Sequence, residues 1–153
     1  MIPELDSRGL LPAGVHPCTI TEIEAVFGTN VRRQQLLESL RFCIEMMRDA
    51  RLKGELIVNG SFVTDKPNPG DVEVCLDVRR EADLIQGSAL LFHVKNRPRL
   101  DRKGVDWYPV LHESEDGLER DFTRYFQYIG EKSGALKKLD SRDLKGILKL
   151  MTW

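Results

Sequence analysis

Asp71 and Glu73 are acidic residues one position apart, and a Gly60-Ser61 pair precedes them across a loop. If residues 71–78 form a strand, alternate side chains share a face, so both carboxylates lie on one surface. Like charges this close repel each other unless a cation lies between them. Carboxylate oxygens are hard ligands that Mg²⁺ or Mn²⁺ accepts together with substrate phosphates. The spacing therefore predicts a site for one of these metals beside a phosphate.

The glycine and serine stand where a strand should end. Residues 55–59 form a short, mostly apolar run that stops at Gly60, which is typical of a buried strand closed by a turn. Gly60 permits close approach of the backbone to a ligand, and Ser61 adds a hydroxyl and an amide N–H that suit phosphate oxygens. Residues 64–70 contain two prolines and a glycine. They cannot continue the strand, so we predict a loop there.

The segment 71–78 alternates between polar and apolar residues. Its apolar face would carry Val72, Val74, Leu76 and Val78, and its other face Asp71, Glu73, Cys75 and Asp77. We expect the first face to pack and the second to present the carboxylates. Arg79 and Arg80 follow at the end of the strand. Arg79 could contact a phosphate, and the alternative is a solvated strand end.

The order of these motifs carries a family resemblance. Gly60-Ser61, nine further residues and then Asp71-x-Glu73 resemble the Gly-Ser and Asp-x-Asp/Glu signature of the nucleotidyltransferase fold, which includes polymerase beta-like enzymes and minimal nucleotidyltransferases. Residues 59–67 are also similar to small bacterial nucleotidyltransferase-like proteins of unassigned function. The resemblance covers roughly residues 55–110. It implies a small mixed sheet with helices packed on one face, and a nucleotide held at Gly60, Ser61 and Arg79.

The same family carries a third carboxylate on a later strand. Asp106, in the short alternating run 104–110, matches that position, and Asp101 in the basic stretch before it is the alternative. By resemblance, Asp71, Glu73 and Asp106 would be the catalytic, metal-binding residues for Mg²⁺ (or Mn²⁺). The implied reaction transfers a nucleoside monophosphate from an NTP to a protein or RNA hydroxyl and releases pyrophosphate.

Two other interpretations keep this fold. The chain could be a catalytically inactive nucleotide-binding or protein-interaction module, resembling an antitoxin. It could also be one half of a toxin–antitoxin or phage-defence pair, which would make a cognate toxin or antitoxin its partner. Fold by itself does not decide among these three.

Composition limits the class of protein. The chain has 153 residues, 17.5 kDa and a net charge of −1, which predicts one domain over residues 19–153 after an extended N-terminal arm, 1–18. The near-zero charge gives no global electrostatic case for nucleic acid binding. Cys18, Cys43 and Cys75 are widely spaced, which favours a reducing compartment. No apolar run is long enough to cross a membrane, so we expect a cytoplasmic protein without a membrane partner.

The remaining elements should position the site. Asn30 would cap a helix to about Arg51, and residues 81–93 predict a second helix, although 90–94 could equally form a strand. Residues 117–129 and a segment capped by Ser141 predict two more helices. In the last of these, Leu144, Ile147, Leu148 and Met151 would pack, and Lys138, Arg142, Lys145 and Lys149 would form a basic stripe. That stripe could contact a nucleic acid or an acidic partner, or simply be solvated. The expected fold class is α/β (α+β).

Overall fold

A mixed sheet with helices packed on one of its faces forms the fold. The computed structural model describes residues 1–112 and 126–153. The strands are β1 (Gly14–Cys18), β2 (Glu55–Asn59), β3 (Val72–Asp77), β4 (Val105–Val110) and β5 (Gly146–Leu150). The helices are α1 (Ile20–Phe27), α2 (Val31–Asp49), α3 (Asp83–Arg102) and α4 (Gly130–Lys137), with a 3₁₀ helix at Ser61–Val63.

The strands lie in the order β1-β5-β2-β3-β4. The two outer pairs, β1 with β5 and β3 with β4, are parallel, and the inner pairs are antiparallel. Glu73 stands opposite Asn59 of β2 on one side and opposite Asp106 of β4 on the other. The predicted α+β class, with a small mixed sheet and helices on one face, is confirmed.

Side-chain alternation builds two cores of unequal size. The larger core lies between the sheet and helices α1 to α3, and it takes the apolar face of β3 as predicted: Val72, Val74, Leu76 and Val78 are all buried there. A smaller cluster on the opposite face contains Ile57, Cys75, Val110, Phe126 and Ile147. Cys75 is therefore packed among apolar side chains, and only part of the carboxylate face is open.

Helix α2 confirms the prediction made from its periodicity. The Asn30 side chain accepts a hydrogen bond from the backbone of Arg33 and caps the helix. The stripe that faces the core consists of Leu36, Leu37, Leu40, Cys43, Ile44 and Met47. This helix lies under the strands that carry the acidic residues.

Helix α3 is longer than its sequence suggested. The helix predicted over 81–93 runs from Asp83 to Arg102 with Pro98 inside it, and the alternative strand at 90–94 is wrong. Proline in a helix costs a backbone hydrogen bond and about 3 kcal/mol. Burial of Ala89, Phe92 and Leu100 against the core holds both halves in one helix. Asp101 is therefore on a helix and not in a loop.

The predicted C-terminal helix is wrong, and with it the basic stripe. Residues 146–150 form β5, which pairs with β1 on one side and β2 on the other. Those partners are more than 85 residues away in the chain, so local periodicity could not indicate them. Lys145 is buried, Lys149 forms an ion pair with Glu55, and Lys138 ends α4. Of the helix predicted over 117–129, residues 117–125 lie outside the described ranges.

The N-terminal segment is extended, and its last part belongs to the sheet. Ile2, Leu10 and Leu11 are buried, and residues 14–18 form the edge strand β1 beside β5. None of the helices in the described ranges is both long enough and apolar enough to span a bilayer.

Candidate functional site

Two of the three predicted carboxylates are direct neighbours across strands. Glu73 and Asp106 are register partners on the parallel strands β3 and β4, where adjacent strands lie about 4.8 Å apart. Asp71 immediately precedes β3 and has the same parity as Glu73, so it lies on the same face of the sheet. The structure thus brings together Asp71, Glu73 and Asp106 on the face opposite helices α1 to α3.

The pKa values of Glu73 and Asp106 are raised, first by burial and then by the acidic neighbours. Burial raises the pKa of Glu73; the Lys145 ammonium opposes that rise, and the charges of Asp71 and Asp106 add to it. Burial likewise raises the pKa of Asp106, with further contributions from Asp71 and Asp101. Each carboxylate disfavours ionisation of the next, so a cation among them would be electrostatically stabilised.

Gly60 makes room for one of these carboxylates. It has a φ of +81°, and a Cβ at this position would lie 2.8 Å from Cδ of Glu73. A glycine is needed for both reasons, because other residues resist this backbone conformation and their side chain would displace Glu73. Ser61 begins the 3₁₀ helix, and its carbonyl oxygen accepts a hydrogen bond of 2.8 Å from the Thr64 hydroxyl.

Lys145 is a site residue that sequence reasoning missed. Its Nζ donates to Oδ1 of Asn59, and Nδ2 of Asn59 donates to the carbonyl oxygen of Phe126 at 3.1 Å. Lys145 is only 6% exposed, and burial lowers its pKa to about 8, although Glu73 opposes that shift. The sequence does carry a signal for the strand that follows Lys145. In residues 147–150, Ile147 and Lys149 alternate with two leucines, as expected of a strand with two different faces.

A cleft of about 610 Å³ lies over the end of β2 and the start of β3. Its volume is within the size range of small-molecule sites. Three acidic and three basic side chains line it: Asp65, Asp71, Glu73, Lys66, Lys137 and Lys145. Gly60, Ser61 and backbone near Gly130 complete much of the wall. Lys137 forms an ion pair of 2.7 Å with Asp65. The mixture suits a ligand with polar groups and charges of both signs.

Two of the residues considered from sequence lie elsewhere. Arg79 follows the carboxyl end of β3, where its guanidinium donates to Asp77 at 2.6 and 2.9 Å. The strand from Glu73 to Asp77 spans roughly 13 Å, so Arg79 is far from the carboxylate group. Asp101 lies exposed on α3 and pairs with Arg97 at 3.7 Å. Asp106 stands one strand beyond the cleft wall, next to Glu73.

The donor chemistry fits a hard divalent cation. The oxygens of Asp71, Glu73 and Asp106 are the ligand type that Mg²⁺ prefers, and the raised pKa values of Glu73 and Asp106 are in the direction expected of buried carboxylates with acidic neighbours, which a cation would stabilise in their charged form. As the side chains are placed, no three His, Cys, Asp or Glu groups within the described ranges converge on one point that could hold a metal ion. The three carboxylates therefore match a divalent cation in charge and in donor type, but they do not converge on one point.

Comparison with known proteins places the chain in a family. Searches among curated proteins and among solved structures each found no match. The model of a family of unknown function, DUF6932, matches residues 3–151. Since that match extends over nearly the whole chain, the protein belongs to family DUF6932.

Proposed function

We propose that this protein is a metal-dependent nucleotidyltransferase that transfers NMP from an NTP to a hydroxyl group of a protein or RNA. One observation carries the proposal: Glu73 and Asp106 are register partners, and Asp71 lies on the same face beside the cleft. The resemblance of Gly60-Ser61 and Asp71-x-Glu73 to the nucleotidyltransferase signature supports it. Three mutually repelling carboxylates next to a cleft with lysines are what such chemistry requires.

Each part of the site has a role in this proposal. Asp71, Glu73 and Asp106 would hold Mg²⁺ or Mn²⁺. Such an ion, when bound, neutralises phosphate charge and makes an acceptor hydroxyl more acidic. Ser61 and Lys145 would contact phosphate oxygens, and Gly60 keeps Glu73 in place. The acceptor hydroxyl loses its proton to solvent, its oxygen bonds to the α-phosphorus and the bond to pyrophosphate breaks, so one pyrophosphate and one proton leave per transfer.

The proposal also includes a cellular setting. The three buried cysteines are free thiols, consistent with a reducing compartment, so we place the protein in the cytoplasm. A role in a toxin–antitoxin or phage-defence system, with a cognate toxin or antitoxin as partner, follows from the resemblance to small nucleotidyltransferase-like proteins.

A second candidate is a catalytically silent nucleotide-binding or protein-interaction module. The observation that favours it is the position of Lys145, whose buried ammonium already supplies a counter-charge to Glu73. In this alternative the lysine stabilises the carboxylate without a metal. The cleft would then bind a ligand without turning it over.

A transfer assay with α-labelled NTPs distinguishes the two. The protein is incubated with each NTP, Mg²⁺ or Mn²⁺ and a cell lysate, and labelled protein and RNA are separated. Wild type should transfer label, and Asp71→Asn, Glu73→Gln and Asp106→Asn should each lower transfer by about 100-fold or more, because each removes a charge that would hold the cation. Asp101→Asn tests the alternative third carboxylate and should retain transfer, and the matched control is Asp49→Asn, which changes an exposed carboxylate at the end of α2.

Three other outcomes of this assay would change the assignments. If nucleotide binds in a metal-dependent way without transfer, the second candidate replaces the first. If Asp101→Asn abolishes transfer and Asp106→Asn does not, the assignment of the third carboxylate is wrong. If nucleotide neither binds nor reacts, both candidates fall.

A further inference from the structure

Helix α3 carries an apolar stripe on the side that faces away from the core. Leu84, Leu91 and Val94 are 80%, 52% and 66% exposed. At 100° per residue they fall, with Gly87, within roughly 80° of one another. The core-facing side chains of the same helix, Ala89, Phe92 and Leu100, lie on the opposite side. The helix is thus apolar on two faces, of which the sheet uses one.

Gly87 lies within this stripe and has no packing role in the described part of the chain. No described atom comes within 4 Å of the position that its Cβ would occupy. A glycine inside a helix costs about 1 kcal/mol relative to alanine. Its position between Leu84 and Leu91 leaves a notch in the stripe, one helical turn from each. Such a notch fits a large side chain of another helix.

We propose that α3 is the contact between two copies of this chain, packed antiparallel about a two-fold axis near Leu90. In this register Leu91 of each copy lies about 3 Å along the helix axis from the notch at Gly87 of the other, and Leu84 lies at the same axial offset from Val94. Leu90, itself 47% exposed, faces its own counterpart at the axis. The stripe is then complementary to itself, as a closed two-fold interface requires.

Charge at the edge of the stripe fits the same register. Asp83 and Arg97 lie on the side of the stripe that Leu90 occupies, seven residues to either side of it. Antiparallel packing about Leu90 therefore places Asp83 of one copy beside Arg97 of the other, twice per dimer. Arg97 is 63% exposed, and its contact with Asp101 is long, at 3.7 Å. A parallel arrangement would instead place Asp83 beside Asp83, where the like charges repel.

The size of the contact sets its strength. A helix of 20 residues is about 30 Å long, and one pair of such helices is at the small end of stable protein interfaces. We therefore expect a reversible dimer with a micromolar Kd. The inference does not rest on the proposed function, because it concerns association of two copies, which is measured without nucleotide or metal.

Sedimentation equilibrium on the full chain, from micromolar to submillimolar concentration, tests the proposal. Wild type should fit a monomer–dimer equilibrium, and Leu91→Glu should abolish it. Arg97→Glu should weaken the dimer by about tenfold through two repulsive contacts, and the double variant Asp83→Lys/Arg97→Glu should recover the wild-type Kd. Val31→Asp changes a side chain that is 72% exposed on α2, and as the matched control it should leave the Kd unchanged.

Cross-linking tests the register. Leu90→Cys should join two copies with a short bifunctional maleimide, and Leu84→Cys should not, because the two copies of position 84 lie about 18 Å apart along the helix axis in the antiparallel pair. Circular dichroism of each variant shows that it is folded. Monomer at every concentration in wild type overturns the proposal. Efficient cross-linking through Leu84→Cys, or no recovery in the charge-swapped double variant, overturns the antiparallel register.

Discussion

Gly60 links the conformation of a turn to the placement of an acidic side chain on the next strand. Its positive φ ends β2, and its missing side chain is the space that the Glu73 carboxylate occupies. The residue that a motif search assigns to phosphate contact therefore has a second role. It fixes where one of the clustered carboxylates lies, and that carboxylate in turn borders Asp106 and Lys145.

We expect Gly60→Ala to lower the free energy of unfolding by about 2–4 kcal/mol, because alanine is strained at this φ and its Cβ clashes with Glu73. Urea denaturation measures the change. Gly70→Ala is the matched control: Gly70 also borders the cleft, but its φ is not positive and no described atom lies near its Cβ position. The control should change stability by less than about 0.5 kcal/mol. Equal stability of the two variants would contradict the steric argument.

At the scale of elements, α2 is joined to the loop that borders the cleft through Arg33. This side chain is 3% exposed and donates to the carbonyl oxygens of Phe62, Thr64 and Lys66 at 2.8, 2.6 and 2.5 Å. The prolines of residues 64–70 prevent this loop from forming strand hydrogen bonds. A buried guanidinium with several donors in a fixed geometry replaces them. The helix thereby holds the chain between Gly60 and Asp71 in place.

We expect Arg33→Met to destabilise the protein by about 3 kcal/mol, because the variant leaves three carbonyl groups without their donor in a mostly buried location. Arg41→Met is the matched control, since Arg41 on the same helix makes an exposed ion pair with Glu24, and such pairs contribute about 0–1 kcal/mol. Urea denaturation gives both values. Faster amide exchange of residues 62–66 in Arg33→Met would locate the effect. Similar losses in the two variants would show that Arg33 does not act through these carbonyls.

At the scale of the whole molecule, the site depends on the meeting of distant segments. Lys145 precedes β5, Asn59 ends β2, and the carbonyl of Phe126 lies at the start of the second described range. The Lys145 ammonium, the Asn59 amide and the Phe126 carbonyl are linked by two hydrogen bonds, and the ammonium lies near Glu73. Burying an ammonium in this place is costly, and its lowered pKa of about 8 expresses that cost.

The lowered pKa of Lys145 predicts how the stability of the folded protein depends on pH. The folded state holds the Lys145 proton less tightly than the unfolded chain, whose lysine has an ordinary pKa of 10.5. The contribution of Lys145 to the free energy of unfolding therefore rises as pH increases from about 8 to 10.5. Relative to Lys145→Met, wild type should gain up to about 3 kcal/mol over that window.

Urea denaturation at several pH values measures the difference between the two proteins. Lys149→Met, on the adjoining strand β5, is the control, because Lys149 is half-buried beside Glu55 at the surface. The Lys149 variant retains Lys145, so its stability should rise over the same window as that of wild type does. If the difference between wild type and Lys145→Met does not change with pH, Lys145 is not buried as a charge.

The sequence alone determined the strands β2 and β3, helix α2 and the shared face of Asp71 and Glu73, because period-two and period-3.6 patterns are local and each was intact. It also indicated the turn at Gly60. The strand that carries Asp106 was implied by resemblance, and the pairing of Asp106 with Glu73 is a contact between distant segments. Only the tertiary structure decided that residues 146–150 form a strand, that α3 continues through Pro98, and that Lys145 is buried beside Glu73. Each of these depends on a partner distant in the chain, since β5 exists through β1 and β2, and burial of Leu100 offsets the cost of the proline.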